Sequence, residues 1–330
     1  MPSTLSDNVI YPDLIHGAFV EKVREVVEIF NAASANTMRL TSGSALGFEQ
    51  RESFFETIDT VHRRDHANLD NDVTVNAVNT DEWLRPTVLR AVTLKAYDLL
   101  LWLQGRDWDP ETLSMMMGEK FALDTLKDRC DTGLEALIAA MDSETDMKHG
   151  DGSNKFDYKK LNQGLAKLGD RRDEVGMLVM HSVTYADIID HSVEEKFDGL
   201  TGVTIREGSP ATLGLPVLVT DNTNLHVEQS PGDDHYRILA LRPSALTLTD
   251  LLTPTWEFDK DIVTHGQAMT VRGNLHYQID VLGFAFDGDK NPASGTSSNQ
   301  LGDDGSWDYK MDSVKSGPGV MITVEQGHDT

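Results

Sequence analysis

The chain has 330 residues and a formal net charge of -25, from 29 basic and 54 acidic residues. Phosphate contacts are made mainly by Lys and Arg, so this charge excludes an ordinary nucleic-acid-binding protein. Its mean hydropathy of -0.35 is that of a soluble protein, and no apolar run approaches the roughly 18 to 20 residues that cross a bilayer. The single cysteine, Cys130, excludes an intrachain disulfide and a Cys-based zinc site. The first residues lack the basic flank and apolar stretch of a secretory signal, which predicts synthesis in the cytoplasm.

The first predicted helix runs from Leu14 to Ala33, where apolar residues recur at steps of three and four. Asp13 is its predicted N-cap. The segment from Thr41 to Thr80 is polar and carries short β-branched runs, which predicts a long hairpin with little core of its own. A loop of this length in a compact domain usually has a binding role.

A long helix is the clearest prediction in the next part of the chain. Thr87 to Leu103 is compatible with either a strand or a helix. Pro110 suits a first helical turn, and the apolar pattern after it continues to Met141. The predicted helix has about 30 residues and would span roughly 45 Å. Cys130 falls within this pattern, which favours a core thiol over a nucleophile.

An α/β unit follows a polar linker at 143–157. Its predicted elements, over residues 155 to 234, are a helix from Tyr158 to Leu168, a buried strand from Val175 to Met180, a helix from Thr184 to Phe197 and a second buried strand from Leu215 to Thr220.

Strand patterns return after this unit, at Tyr236 to Leu241 and Ala245 to Leu248. From Val271 to Val281 apolar and polar residues alternate, which predicts an antiparallel or edge strand with one solvated face. The tail from Asp287 is rich in Gly, Ser, Asp and Asn, and its Trp307 and the run VMITV (320–324) are expected to dock on the rest of the chain.

The search for catalytic and metal motifs yields weak matches. His62 and His66 have zincin spacing but lack the Glu after the first His, which favours solvated loop histidines. Residues 287–291 (DGDKN) resemble the start of a calcium loop, yet Pro292 stands where an EF-hand requires Gly, so a polar turn is predicted. No P-loop, dinucleotide fingerprint or nucleophile elbow is present. We therefore expect no catalytic, cofactor-binding or metal-binding residues.

His181 and Ser182 are adjacent, so as strand residues they would point to opposite sides and could not easily act as base and nucleophile. They are interpreted as a strand terminus and a helix N-cap.

The order of these elements resembles the HK97 fold of tailed-bacteriophage coat proteins. The sequences that carry the resemblance are the helix from Pro110 to Met141, VMHSVTYADI (179–188), LGLPVLVTD (213–221), YRILALRPSAL (236–246) and the tail at 291–324. The resemblance implies an α+β fold in which residues 1–40 form an N-terminal arm, 41–80 an E-loop, 81–154 and 235–286 a P-domain with a long spine helix, 155–234 an inserted α/β A-domain, and 287–330 a C-terminal extension.

The function that the resemblance implies is that of a structural, non-catalytic major capsid protein located in the virion. Its copies would assemble as hexamers and pentamers of an icosahedral head around double-stranded DNA, without sequence-specific DNA contacts and without a membrane. Portal, scaffolding and decoration proteins are further expected partners. Some relatives crosslink through a hairpin Lys, but residues 41–80 contain no Lys, so we expect no such crosslink. Because the first helix begins by residue 14, scaffolding is expected from a separate protein. Arg63 and Arg64 near the hairpin tip are expected to meet acidic patches of an adjacent subunit.

Two alternatives stay open at this point. The same shell fold could form a nanocompartment that encloses an enzyme. Alternatively, the chain could be a soluble α/β enzyme with a pocket at the ends of the strands 175–180 and 215–220, where His181 and Asp221 would be the candidate residues.

Overall fold

The computed structural model describes residues 11–43, 49–55, 80–95, 110–150, 155–189, 215–228, 234–261, 268–290 and 296–325. The helices in these ranges are α1 (Pro12–Ala33), α2 (Pro110–Ser143), α3 (Tyr158–Ala166), α4 (182–189) and α5 (Ser298–Leu301). The strands are β1 (Met38–Ser42), β2 (Glu49–Phe55), β3 (Thr80–Lys95), β4 (Lys148–His149), β5 (Met177–Met180), β6 (Val217–Val219), β7 (His226–Glu228), β8 (Asp234–Leu241), β9 (Leu246–Asp261), β10 (Ala268–Val281), β11 (Phe284–Phe286), β12 (Trp307–Tyr309) and β13 (Gly319–Glu325).

Helix α1 confirms the first predicted helix but not its N-cap. The helix begins at Pro12, whose fixed φ suits a first helical turn, so the N-cap is Tyr11 and its side chain makes no capping bond. Asp13 lies in the first turn, where its charge complements the helix dipole. The Tyr11 backbone N–H donates to the Ser114 hydroxyl at 3.1 Å and so ties the start of α1 to α2.

The first sheet has five strands in the order β1-β9-β10-β3-β2. Strand β10 confirms the strand predicted at 271–281 and is antiparallel to both of its neighbours, so it is not an edge strand. The prediction of one solvated face holds only for its first half. His276 and Gln278 are buried along with Tyr277 between them, because both faces of the sheet are covered there.

Strand β3 is shared between this sheet and a projecting strand pair. Its residues 80–86 pair with β2, and its residues 87–95 pair with β10. The ambiguous segment that starts at Thr87 is therefore a strand as far as Lys95, and its remaining residues lie outside the described part of the chain. The pairing of β2 with β3 agrees with the hairpin predicted at 41–80, whose central residues 56–79 also lie outside it.

The second sheet has the order β4-β13-β8-β5-β6, and β7 pairs with β8. Helix α3 packs on one face, where Leu161 and Leu165 join Leu178 and Ile322 in one core cluster. The second half of α2 packs on the other face, where Leu137 and other residues join Val179 of β5 in a second cluster. The unit is thus a sheet between two helical layers.

The predicted strand 215–220 is shorter and less buried than expected. Strand β6 covers only Val217–Val219, and Val219 is 41% exposed because β6 lies at the edge of the sheet. The strand predicted at 175–180 is confirmed, since all four residues of β5 are buried. The helix predicted from Thr184 begins at residue 182, and its part beyond 189 lies outside the described ranges.

Helix α2 confirms the predicted long helix. It has 34 residues and a length of about 51 Å at about 1.5 Å per residue. Its first half packs against α1, where Leu113, Met117 and Phe121 meet Ile15 and Phe19 in a third core cluster. Its second half joins the two sheets.

The tail docks as expected. Trp307 of β12 is buried, and its indole N–H donates to the Leu301 carbonyl oxygen at 2.9 Å. Strand β13 is inserted between β4 and β8 in the second sheet. The second sheet therefore takes strands from four of the predicted ranges, 81–154, 155–234, 235–286 and 287–330, and the residue bounds of the predicted domains stay a prediction.

Candidate functional site

The two residues of the enzyme alternative, His181 and Asp221, lie close together at the ends of β5 and β6. Their nearest charged atoms, His181 Nε2 and Asp221 Oδ1, are 3.8 Å apart. The Asp221 side chain is 74% exposed and lines an open groove of about 540 Å³ with Asp128 and Asp131 of α2, and His181 does not line this groove. The Ser182 hydroxyl, which donates to Asp221, holds the pKa of that carboxyl below its usual range.

The hydrogen bonds of His181 serve the start of a helix. His181 Nδ1 accepts the Val183 backbone N–H at 3.3 Å, so His181 caps helix α4 and Ser182 is its first residue. The predicted N-cap at Ser182 is therefore wrong by one residue. Because Nδ1 is an acceptor, the neutral ring carries its proton on Nε2 and cannot take a proton from Ser182. This geometry does not assemble a nucleophile and its base.

A second histidine, His226, lies beside His181, and the sequence alone did not point to it. His226 and His181 lie against the Tyr236 ring, each with a centroid separation of 5.0 Å. His226 Nε2 is 3.1 Å from Asp234 Oδ1. Burial lowers the pKa of His181, and the nearby His226 lowers it further, while Asp221 opposes the shift. The position of His226 beside His181 follows from the pairing of β7 with β8, in which His226 and Tyr236 are cross-strand partners.

Two of the remaining sequence candidates, Cys130 and the turn at 287–290, show structural roles. The thiol of Cys130 lies in α2, and burial, with Asp131 adding to it, raises its pKa to about 11, which disfavours a nucleophile. In the turn at 287–290, the Asp289 backbone N–H donates to Asp287 Oδ1 at 3.0 Å, as expected of a polar turn. His62, His66, Arg63 and Arg64 lie outside the described residues. Within those residues no group of His, Cys, Asp or Glu has the arrangement of a metal site.

The root of the projecting pair β2/β3 is fixed by ion pairs. Arg85 of β3 contacts Asp280 of β10 at 3.0 Å and Glu52 of β2 at 3.1 Å. Nearer the far end of the pair, Lys310 contacts Asp81 at 2.8 Å. Burial raises the pKa of Asp280, and the Arg85 guanidinium opposes this shift. These contacts join the pair to the first sheet and to the tail.

Helix α2 is joined to the first sheet by a buried ion pair. Arg129, whose side chain is 4% exposed, contacts Asp250 of β9 at 2.7 Å. The guanidinium also lies over the Tyr277 ring, 5.6 Å from its centroid. Burial raises the pKa of Asp250, and Arg129 opposes this shift. The pair fixes the position of the long helix across the sheet.

Comparison with known proteins identifies the family. A family model described as major capsid protein 13-like (Gp13-like) matches residues 7–321. The chain belongs to the Gp13-like major capsid protein family. The role of this capsid protein is therefore structural: its copies associate into the shell of a phage particle, as the resemblance implied.

Solved structures are similar to this capsid protein in fold. A chain of the structure titled "Microbacterium phage Oxtober96" matches with a TM-score of 0.51 and 10% identity, over 88% of this chain and 90% of that one. "Cyanophage Pam1 capsid asymmetric unit" matches with a TM-score of 0.49 and 11% identity, over 88% and 89%. "Asymmetric unit of bacteriophage PhiM1 mature capsid" gives 0.47 and 11%, over 90% and 87%. The expected α+β, HK97-like fold is confirmed.

Two further findings concern this capsid protein. No curated protein matches its sequence. Within the part of the chain that the structure describes, none of the helices has the length and apolar composition that a membrane span requires.

Proposed function

We propose that this capsid protein forms the hexamers and pentamers of an icosahedral head that encloses double-stranded DNA, and that it has no catalytic role. In this proposal residues 1–40 are the N-terminal arm, 41–80 the E-loop, 81–154 and 235–286 the P-domain with α2 as its spine helix, 155–234 the A-domain, and 287–330 the C-terminal extension. Synthesis takes place in the host cytoplasm, and portal, scaffolding and decoration proteins are further partners.

The observation that carries the proposal is the continuity of β3. One strand pairs with β10 over residues 87–95 and with β2 over residues 80–86, where Leu84 still packs in the main core. Arg51, Glu52 and Ser53 of β2 are exposed. A two-stranded hairpin is marginally stable by itself in water. A pair that extends from the sheet with exposed residues gains contacts when it lies on an adjacent copy, as in a closed symmetric assembly.

The charge of the chain is consistent with DNA as the content of the shell. Each copy carries a formal charge of -25. A surface with this excess of carboxylates repels phosphates, so packaged DNA would not adhere to the shell. This property suits a container whose contents are later released.

The experiment that tests the proposal replaces residues 56–79 by the dipeptide Asn-Gly. Phe55 and Thr80 are cross-strand partners, so a two-residue turn can join them without changing the register of β2 and β3. We expect the subunit to keep its free energy of unfolding in urea and to lose the ability to form closed particles, as seen by sedimentation and negative-stain microscopy.

Two outcomes would contradict the proposal. If the shortened variant forms shells as readily as the unaltered protein, the segment has no role in assembly. If the unaltered protein stays a monomer under all assembly conditions, the chain does not build a head. The content of purified particles separates the remaining alternative, because nuclease-protected double-stranded DNA supports a head and a protein cargo supports a nanocompartment.

A further inference from the structure

The segment around α3 is positively charged, whereas the chain as a whole is negatively charged. Residues 155–172 contain six Lys or Arg and two Asp, a net charge of +4 in a chain whose total is -25. We call this segment the basic surface; its basic residues are Lys155, Lys159, Lys160, Lys167, Arg171 and Arg172. Its positive field reaches neighbouring groups. Burial lowers the pKa of His149, and the positive charges of Lys167 and Lys160 lower it further.

The acidic residues of this segment are already engaged within the subunit. Asp157 caps α3 by accepting the Lys159 backbone N–H at 3.1 Å. Asp170 pairs with Lys315 at 2.7 Å, and Glu174, just beyond the segment, pairs with Arg242. Within the described residues, no ion pair is formed by the side chain of Lys159 or of Arg172. Both are available to a partner.

An acidic groove lies on the opposite side of the second sheet. Its carboxylates are Glu135 and Asp142 of α2 and Asp303 and Asp304 of the tail, and it encloses about 230 Å³. Asp142 pairs with Arg237 at 2.8 Å and with Lys148 at 3.1 Å, and Asp303 pairs with Lys290 at 2.9 Å. Within the described residues, Glu135 and Asp304 are the carboxylates of the groove that form no ion pair, and they are the ones available to a partner. Because α3 and the second half of α2 cover opposite faces of the sheet, the basic surface and the groove face in opposite directions.

We propose that the basic surface of one capsid subunit docks on the acidic groove of the next copy. Two basic surfaces would repel each other, so the contact joins two different patches and is heterologous. A heterologous contact that closes on itself generates a ring. Opposite charges on opposite faces also offset the repulsion between copies that each carry -25. The proposal rests on self-association of the protein into a shell and not on what the shell encloses.

The test is a charge reversal with a matched control. Lys159→Glu with Arg172→Glu replaces two positive charges of the basic surface by two negative charges. Arg24→Glu with Lys120→Glu makes the same change in net charge at two exposed side chains on α1 and α2, which are 82% and 70% exposed. We expect the first variant to raise the protein concentration at which rings or particles form by about tenfold at low salt, and the control to shift it much less.

A charge swap identifies the partner surface. Asp304 is exposed, so Asp304→Lys should not disturb the core. Added to Lys159→Glu with Arg172→Glu, it places a positive charge on the groove, and we expect it to restore part of the assembly. Circular dichroism of each variant checks folding, and Lys159→Ala with Arg172→Ala replaces the reversal if the latter does not fold.

Three results would overturn the inference. Equal defects in the basic-surface variant and its control would show a general effect of charge. Normal assembly with weakened binding of double-stranded DNA would make nucleic acid the partner. A defect that Asp304→Lys does not relieve would show that the groove is not the counterpart. Failure of the unaltered protein to associate in the same assay would instead count against the proposed function.

Discussion

The crossing of α1 and α2 depends on the absence of a side chain at Gly118. A Cβ at this position would lie 2.5 Å from the Ile15 carbonyl oxygen and 2.9 Å from the Ala18 Cβ. Real Cβ atoms do not approach backbone so closely, so one helix would have to move. Ile15 and Phe19, which are both buried at this contact, would lose part of their packing.

The expected effect of Gly118→Ala combines two opposing terms. Replacing Gly by Ala inside a helix stabilises it by about 1 kcal/mol. Forcing a methyl group into a packed contact costs about 1 to 3 kcal/mol. The net change is then a loss of about 0 to 2 kcal/mol. Gly17 provides the matched control, because a Cβ there would meet nothing within 4 Å. Gly17→Ala should stabilise the subunit by about 0.5 to 1 kcal/mol.

Urea unfolding of the unassembled subunit measures both changes, and limited proteolysis shows whether α1 has loosened. We expect the two variants to differ by about 1 to 3 kcal/mol in the free energy of unfolding, with faster cleavage within α1 only in Gly118→Ala. If Gly118→Ala is as stabilising as Gly17→Ala, the helices are not in close contact at Gly118 and the reasoning is wrong.

Two further predictions concern charged groups. Asp250→Ala leaves the buried guanidinium of Arg129 without its carboxylate. Because the Asp250 side chain is 26% exposed, the loss in urea unfolding should be about 3 kcal/mol, the low end for a buried pair, and Arg129→Met in the same chain should restore a large part of it; additive losses would contradict this. The pKa of His181 is lowered in the folded state, so the unfolded state binds more protons and stability should fall as the pH drops below about 6.5. His181→Asn keeps an acceptor for the Val183 N–H and should flatten this dependence between about pH 7 and 5; an unchanged slope in urea unfolding would refute the assignment.

Features that depend on residues close in sequence could be predicted. The spacing of apolar residues predicted α1 and α2 within a few residues, because the buried face of a helix carries an apolar residue at every third or fourth position. The N-cap of α1 was missed because Pro12 fixes the first turn more strongly than Asp13 favours a cap. Strand β5 was predicted because all four of its residues are buried apolar residues.

Features that depend on distant residues could not be predicted. Whether 87–95 is strand or helix is decided by pairing with β10, which lies more than 170 residues further along the chain. The burial of His276 and Gln278 follows from the packing of both faces of the sheet, which their alternating pattern does not record. The basic surface can be found in the sequence by counting charges over a short window. The net charge of the whole chain does not reveal it.

Because strand β3 is uninterrupted, the pair β2/β3 follows any change in the orientation of the first sheet. The seven residues from Thr80 to Pro86 extend about 23 Å from the point where β3 leaves β10, at about 3.3 Å per residue. A rotation of the first sheet by about 5° relative to the tail would move the far end of this described part by about 2 Å, and it would separate Asp81 from Lys310, which are 2.8 Å apart. Small differences in sheet orientation between copies would thus become larger differences in reach, so one sequence could meet neighbours at unequal angles.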